Sequence, residues 1–225
     1  MTDASAMLAW LQLHDSAFPS GRFVHSNGTE AWLAAHPDAT DDDVCALADS
    51  YVGHSVASLD AVITAHAWGA ASVPELLALD ELTTSYKLSA SSRIASSNCG
   101  RQLATAARHM GVEDGGFLTA VVTGETDGNL AVAEAVVARA LDIDRFDTVL
   151  GAIRSAYSGV LTAGVRLGRI GPMRVQRALL DRRDVIVELS QRAVATALED
   201  VHSTTPELEV YAIRHETASA RMFTT

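Results

Sequence analysis

The chain has 225 residues, enough for one domain or two small ones, and its 48% apolar content excludes a globally disordered chain. A net charge of −11 excludes the clustered lysines and arginines that nucleic acid or an anionic membrane surface requires, and leaves cations or basic protein patches as electrostatic partners. Aromatics are only 5%, alanine and leucine dominate, and Lys87 is the only lysine, a balance that favours closely packed helices over a sheet.

Residues 4–16 read as a helix with Leu8, Leu11 and Leu13 on or near one face. Pro19 and Gly21 stop it. A second helix is expected over 26–35, with Ser26 or Asn27 as cap and Glu30 placed to complete a capping box, ending before His36-Pro37. Thr40 caps a third helix, whose first turn carries Asp41-Asp42-Asp43 against the positive helix end and which runs to about 57. Asp60 opens another to about 71, and Pro74 starts one to about 90. Residues 91–110 are amphipathic, with Ile94, Leu103 and Ala107 on the apolar side. Residues 117–122 form a short apolar run, read as helix from its neighbourhood, and Asn129 caps a helix to 141. Two long helices follow, over 144–167 and from Gly171-Pro172 to about 200, and Thr205-Pro206 begins a last one to about 219. The expectation is an all-α fold, a single domain over 1–225 of about ten helices in an irregular bundle. The glycines within the long helices are expected to allow close backbone contact.

The N-terminus lacks a basic segment followed by an apolar one, and no run of eighteen apolar residues exists, so the chain reads as cytosolic. Cys45 and Cys99 match no metal spacing and are expected as buried free thiols. His14, His25 and His36 recur every eleven residues, but Pro19 and Gly21 interrupt the helix that would align them. No metal site is expected within one chain; a ligand shared across an oligomer interface would draw on His25 or His215. Ser26 beside His25, with Asp15 upstream, has the residue types of a hydrolase triad but no Gly-x-Ser-x-Gly elbow, and no glycine run forms a phosphate loop. Asp41-Asp42-Asp43 resembles half of a prenyl-diphosphate motif, which makes an all-α enzyme of that type the alternative reading; its absent second cluster favours a helix cap. A ligand-sensing helical domain ranks below both, since no basic helix-turn-helix accompanies it. No catalytic residue is assigned.

Two segments break the helical pattern. Residues 18–30 place Phe18, Pro19, Gly21 and Phe23 in one turn-rich stretch, and the chain ends on Arg214-His215-Glu216 and Arg221-Met222-Phe223, where polar residues are usual. Both suit contact with another protein. With residues 11–30, the Arg101-Gln102-Leu103 region, Ala163-Gly164-Val165-Arg166-Leu167-Gly168 with Gln176, and the tail in this order, the chain resembles the UreF family of urease accessory proteins. Thr29, Pro172-Met173-Arg174, Met222 and Thr224-Thr225 depart from the family pattern.

The resemblance implies an all-α, non-catalytic chaperone, dimeric in its complex. It implies binding to UreD (also called UreH), then to the GTPase UreG, and GTP-dependent delivery of nickel to the urease apoprotein. No stably bound cofactor is implied, since nickel is handled by the complex. Phe18, Pro19, Gly21 and Phe23 then stand either as partner-facing anchors or as core packing around a turn. Arg221 and Phe223 belong either to a tail that orders on binding UreD or to one packed on the domain, and His215 and Glu216 either to an interface or to a helix cap. Arg166 is expected to pair with a carboxylate and Gln176 to join a polar network. Removing the tail is expected to weaken UreD binding while leaving the isolated chain's thermal stability nearly unchanged.

Overall fold

Apolar residues at helical spacing build the molecule from α-helices, with no strand among the described residues. The computed structural model describes residues 3–216 and 222–224, with Phe23 by its backbone only. The helices run α1 (Ala4–Leu13), α2 (Thr29–Ala35), α3 (Asp41–Tyr51), α4 (Ala61–Gly69), α5 (Val73–Tyr86), α6 (Ala90–His109), α7 (Phe117–Thr123), α8 (Leu130–Ala140), α9 (Arg145–Arg166), α10 (Pro172–Asp181), α11 (Arg183–Ala195) and α12 (Pro206–His215).

Two short helices of small residues form the centre. α4 buries Ala61, Val62, Ile63, Thr64, Ala65 and Ala67, and α8 buries every residue from Ala131 to Ala138. A helix apolar nearly all round must lie inside, and alanine lets its neighbours come close. α8 lies between α4 and α6, while the long α9 runs along α4 and carries α10 and α11 on its flank. Tyr157, Phe117, Ile153 and Leu161 are among the largest fully buried side chains of the common core. Gly100, Gly151 and Gly164 sit where an added Cβ would strike a neighbouring segment, as expected of helix-crossing glycines; Gly159, Gly168 and Gly171 face open space.

The element boundaries depart from the expected ones at points with identifiable causes. α3 does not end at Ala57 before a new helix at Asp60. The chain stays helical from Asp41 to Gly69 through a π-helical stretch, Val52–Asp60, and Asp60 has helical backbone angles and caps nothing. Its carboxylate instead accepts from Lys87 Nζ at 2.7 Å. The expected helix from Gly171 to Asp200 is two: Arg182 leaves the helical region (ψ 1°), where its guanidinium grips both oxygens of Asp49 on α3 at 2.6 and 2.7 Å. Asn129 makes no cap hydrogen bond, because its side chain donates to Asp80. Leu8 and Leu11 are 69% and 53% exposed, and Ile94 is 48% exposed, so only Leu13, Leu103 and Ala107 of those stripes reach the core.

Thr40 caps α3 as expected, in a complete capping box with Asp43. Asp41 and Asp42 pair with Arg174 of α10 at 3.5 and 2.6 Å. The aspartate triplet is therefore a cap and an interhelical tie at the surface. No helix among the described residues is long and apolar enough to cross a membrane.

Candidate partner-binding site

The two irregular segments, some 190 residues apart in sequence, meet on one carboxylate. The turn between α1 and α2 is set first. The Asp15 side chain accepts from Ala17 N at 2.7 Å, and Pro19 leads into Gly21, whose φ of +72° only glycine adopts without strain. A Cβ on Gly21 would also lie 2.5 Å from the Gln102 side-chain oxygen. A short 3₁₀ turn, Arg22–Val24, follows. Phe18 is half-buried against the core and Pro19 is exposed. Ser20, His25, Ser26 and Thr29 point inward and are buried, and burial pushes the His25 imidazole pKa down.

α2 starts at Thr29 rather than Ser26, with Gly28 (φ +84°) as its cap and no capping box. Gly28 is needed there because a Cβ would sit 2.7 Å from the Leu208 carbonyl of α12. Glu30, free of any capping duty, turns to the chain end. Its Oε2 lies 2.8 Å from His215 Nε2 and accepts from Phe223 N at 3.1 Å, while its Oε1 accepts from Met222 N at 2.7 Å. Burial pushes the Glu30 carboxyl pKa up, but the Met222 N–H, His215 and Phe223 N–H outweigh it and hold the carboxyl below its ordinary range. Thr224 N donates to Val24 O at 3.0 Å, so the tail also pairs with the 3₁₀ turn.

Phe223 is 4% exposed, its ring under the Arg166 guanidinium at 4.6 Å. Arg166 thus meets the tail, a contact beyond the carboxylate pairing expected from sequence. His215 is 2% exposed, and Glu216 Oε1 accepts from Ser91 N at 2.9 Å in the first turn of α6, where Ser89 also caps. Of the sequence-predicted site residues, the structure joins His215 and Phe223 to the loop through Glu30, and places Gly21, Phe18 and Pro19 at its other end. Arg221 lies outside the described residues, as does the Phe23 side chain. Gln176 is exposed on α10. Cys45 and Cys99 are buried free thiols, both with pKa values raised by burial, Cys99 to about 11.

A second anchor of the loop lies below it. Arg22 reaches inward to Glu134 on α8, Nη2 to Oε1 2.8 Å, with side chains only 12% and 5% exposed. His14 stands alongside, Nδ1 2.9 Å from Ser155 Oγ, and burial above all holds its pKa down at about 4, so it is neutral at pH 7. Arg22, Glu134 and Ser155 line a cavity of about 140 Å³ that His25, Cys99 and the Asp60–Lys87 pair also line. His36 stacks on Trp32 at 4.3 Å, so the three evenly spaced histidines share no helix, and no group of three or more His, Cys, Asp or Glu side chains suited to one metal ion stands together among the described residues. Sequence reasoning missed Arg22, Glu134 and the role of Glu30. Only Glu134 carried a signal, a lone acid inside the run Leu130-Ala131-Val132-Ala133-Glu134-Ala135-Val136-Val137.

The comparisons with known proteins bear on the same architecture. Residues 39–183 match the family model for UreF. The chain is 28% identical over 221 residues to a urease accessory protein UreF of Arthrobacter sp. (strain FB24), covering 97% of each chain. It is 28% identical to that of Rhodopseudomonas palustris (strain TIE-1), over 96% of this chain and 90% of the other, and 26% identical to that of Corynebacterium efficiens, over 99% and 98%. With an all-α fold throughout and a family match over more than half its length, the chain belongs to the UreF family of urease accessory proteins.

Proposed function

We propose that this chain is a non-catalytic chaperone of urease maturation. It binds UreD/UreH and the GTPase UreG, acts as a homodimer within that assembly, and assists GTP-dependent nickel insertion into the urease apoprotein in the cytoplasm. It holds no resident cofactor; nickel is cargo of the complex. Family membership supports the setting, and one observation carries the site: the Glu30 carboxylate gathers the His215 side chain and two tail N–H groups beside the 3₁₀ turn. Loop and tail thereby form one composite surface on which Val24 and Met222 are 43% and 56% exposed. That surface is apolar and rigidly backed, which suits a protein partner better than a small substrate.

The test is co-purification with UreD and UreG, together with deletion in the urease-producing host. Loss of urease activity and nickel content on deletion, restored by the intact gene, is expected. Urease that stays fully nickel-loaded and active without this chain overturns the reading.

A further inference from the structure

Residues of α1, α9, α10 and α11 line an open groove of about 370 Å³. Its floor is apolar: Trp10 from α1, Leu150 from α9, Leu179 from α10 and Ile186 from α11. Leu180 and Val187, 56% and 38% exposed, stand at its mouth. Trp10 is fixed in place, since its indole N–H donates to Asp147 O at 2.8 Å.

The charge at this groove runs against the rest of the molecule. The chain carries −11 overall, yet among the described residues the charged ones lining the groove are Arg154 and Arg183 alone. Arg154 has no hydrogen-bonded or ion-pair partner among the described residues, and Arg183 reaches only its neighbour Asp184, at 3.6 Å with both side chains largely exposed. Two cations on an apolar trough in an acidic protein favour one occupant by charge complementarity. We propose that this groove docks an acidic amphipathic helix of a protein partner, its apolar face on Trp10 and Leu179 and its carboxylates on Arg154 and Arg183.

A second copy of the chain is the competing occupant, because α1 presents Met7, Leu8 and Leu11 outward. The acids that bracket that face are already engaged: Asp3 Oδ1 accepts from Ser5 N and Ala6 N, and Asp15 Oδ1 from Ala17 N. α1 carries no acid between Asp3 and Asp15, so a second copy would bring apolar contact with one carboxylate at each end of the helix rather than a row of them opposite the two arginines. The proposal does not depend on the urease-maturation reading, and its test uses no urease component.

The experiment titrates the full chain with a synthetic amphipathic helical peptide that has leucine on one face and glutamate along both edges, and with its glutamate-to-lysine counterpart. Tryptophan fluorescence, to which Trp10 contributes beside Trp32 and Trp68, and calorimetry report binding. The acidic peptide is expected to bind roughly tenfold more tightly, with the gap closing in high salt. Arg154→Glu with Arg183→Glu should reverse the preference. Arg183→Glu alone, at a largely exposed site that leaves folding intact, should narrow it, and Leu180→Asp should weaken both peptides. Equal binding of the two peptides, no binding of either, or a preference that both arginine variants leave unchanged overturns the proposal. So does a homodimer of the chain that Leu180→Asp dissociates, which would assign the groove to a second copy.

Discussion

Phe223→Ala separates a tail that belongs to the fold from one that waits for a partner. In the structure the ring is 4% exposed and lies 4.6 Å beneath the Arg166 guanidinium. Burying a phenylalanine side chain contributes about 1.5–3 kcal/mol, and a partly desolvated cation–π contact adds about 1 kcal/mol. Truncation leaves the Glu30 hydrogen bonds to the Met222 and Phe223 backbone in place, so they do not enter the sum. A tail segment also regains conformational freedom when released, which lowers the net to about 2–3 kcal/mol. For a domain of this size that corresponds to a fall in Tm of roughly 5–10 °C. The assay is thermal unfolding of the isolated chain by circular dichroism, with removal of 222–225 alongside. Removing the residues takes away both ring and N–H donors and should cost more than Phe223→Ala. From sequence, near-unchanged stability was the expectation; the buried ring replaces it. A Tm within about 2 °C of the intact chain for both variants would refute the docked tail and return Phe223 to a residue that acts only in a complex.

The other expectations concern buried polar groups. Glu134→Gln leaves Arg22 in a nearly dry site without its countercharge and should cost about 3–5 kcal/mol in urea unfolding, whereas the double change Arg22→Met with Glu134→Leu should be near neutral; equal losses would place the pair at the surface. His14 is held at about 4 when folded against 6.5 as the ordinary value, so the unfolded chain takes up the proton first and stability falls as pH drops from 6.5 towards 4, by about 3 kcal/mol at most. His14→Gln should flatten that limb of the stability–pH curve, and an unaltered limb would rule out His14 as its source. Asp80, wholly buried, accepts from Gly128 N at 2.8 Å, from Asn129 N at 2.6 Å and from Thr126 Oγ1, fixing the entry to α8; Asp80→Ala orphans these donors and should cost about 3 kcal/mol, read as a shift of the urea midpoint with unchanged slope.

The helices were legible because their signals are local. Thr40, Pro74 and Pro206 all act within one turn of themselves, and each starts a helix where it was expected. The misread boundaries have distant causes. Arg182 breaks a helix for the sake of Asp49, and Asn129 gives up a cap for Asp80, partners 133 and 49 residues away. The π-helical stretch has no breaker to announce it; it turns Ser55 towards Ser203 Oγ at 3.0 Å and offers the His54 carbonyl to Thr204 N at 2.9 Å. The odd composition of residues 18–30 and of the tail marked both segments from sequence. That Glu30 joins them was invisible, because a glutamate three residues after Asn27 satisfies a local capping pattern equally well, and only the tertiary placement of α12 against Gly28 decides the competition.

That competition also decides how a partner meets the site. A partner that strips the tail must replace the Phe223 ring's contribution of about 2–3 kcal/mol and, in addition, the Glu30 hydrogen bonds to the Met222 and Phe223 N–H groups, and would then meet a loop with Glu30 and Arg166 newly uncovered. A partner that binds the docked tail spends nothing on release and meets Val24 and Met222, already exposed on adjoining segments tied by the Thr224 N to Val24 O bond at 3.0 Å. The second route requires no loss of folding energy, and Glu30→Gln tells the two apart, since it weakens docking without removing any tail residue. Binding to UreD measured by calorimetry should weaken several-fold in this variant, because part of the population no longer presents the composite surface. In the intact chain the same weakening should set in as pH falls through the lowered Glu30 pKa, where protonation removes the charge that holds Met222 and Phe223 and the docking contribution present at neutral pH is lost, so the gap between the intact chain and Glu30→Gln closes. Tighter binding of Glu30→Gln would show that the partner takes the released tail, and would overturn the composite surface while leaving the docked tail of the free chain intact.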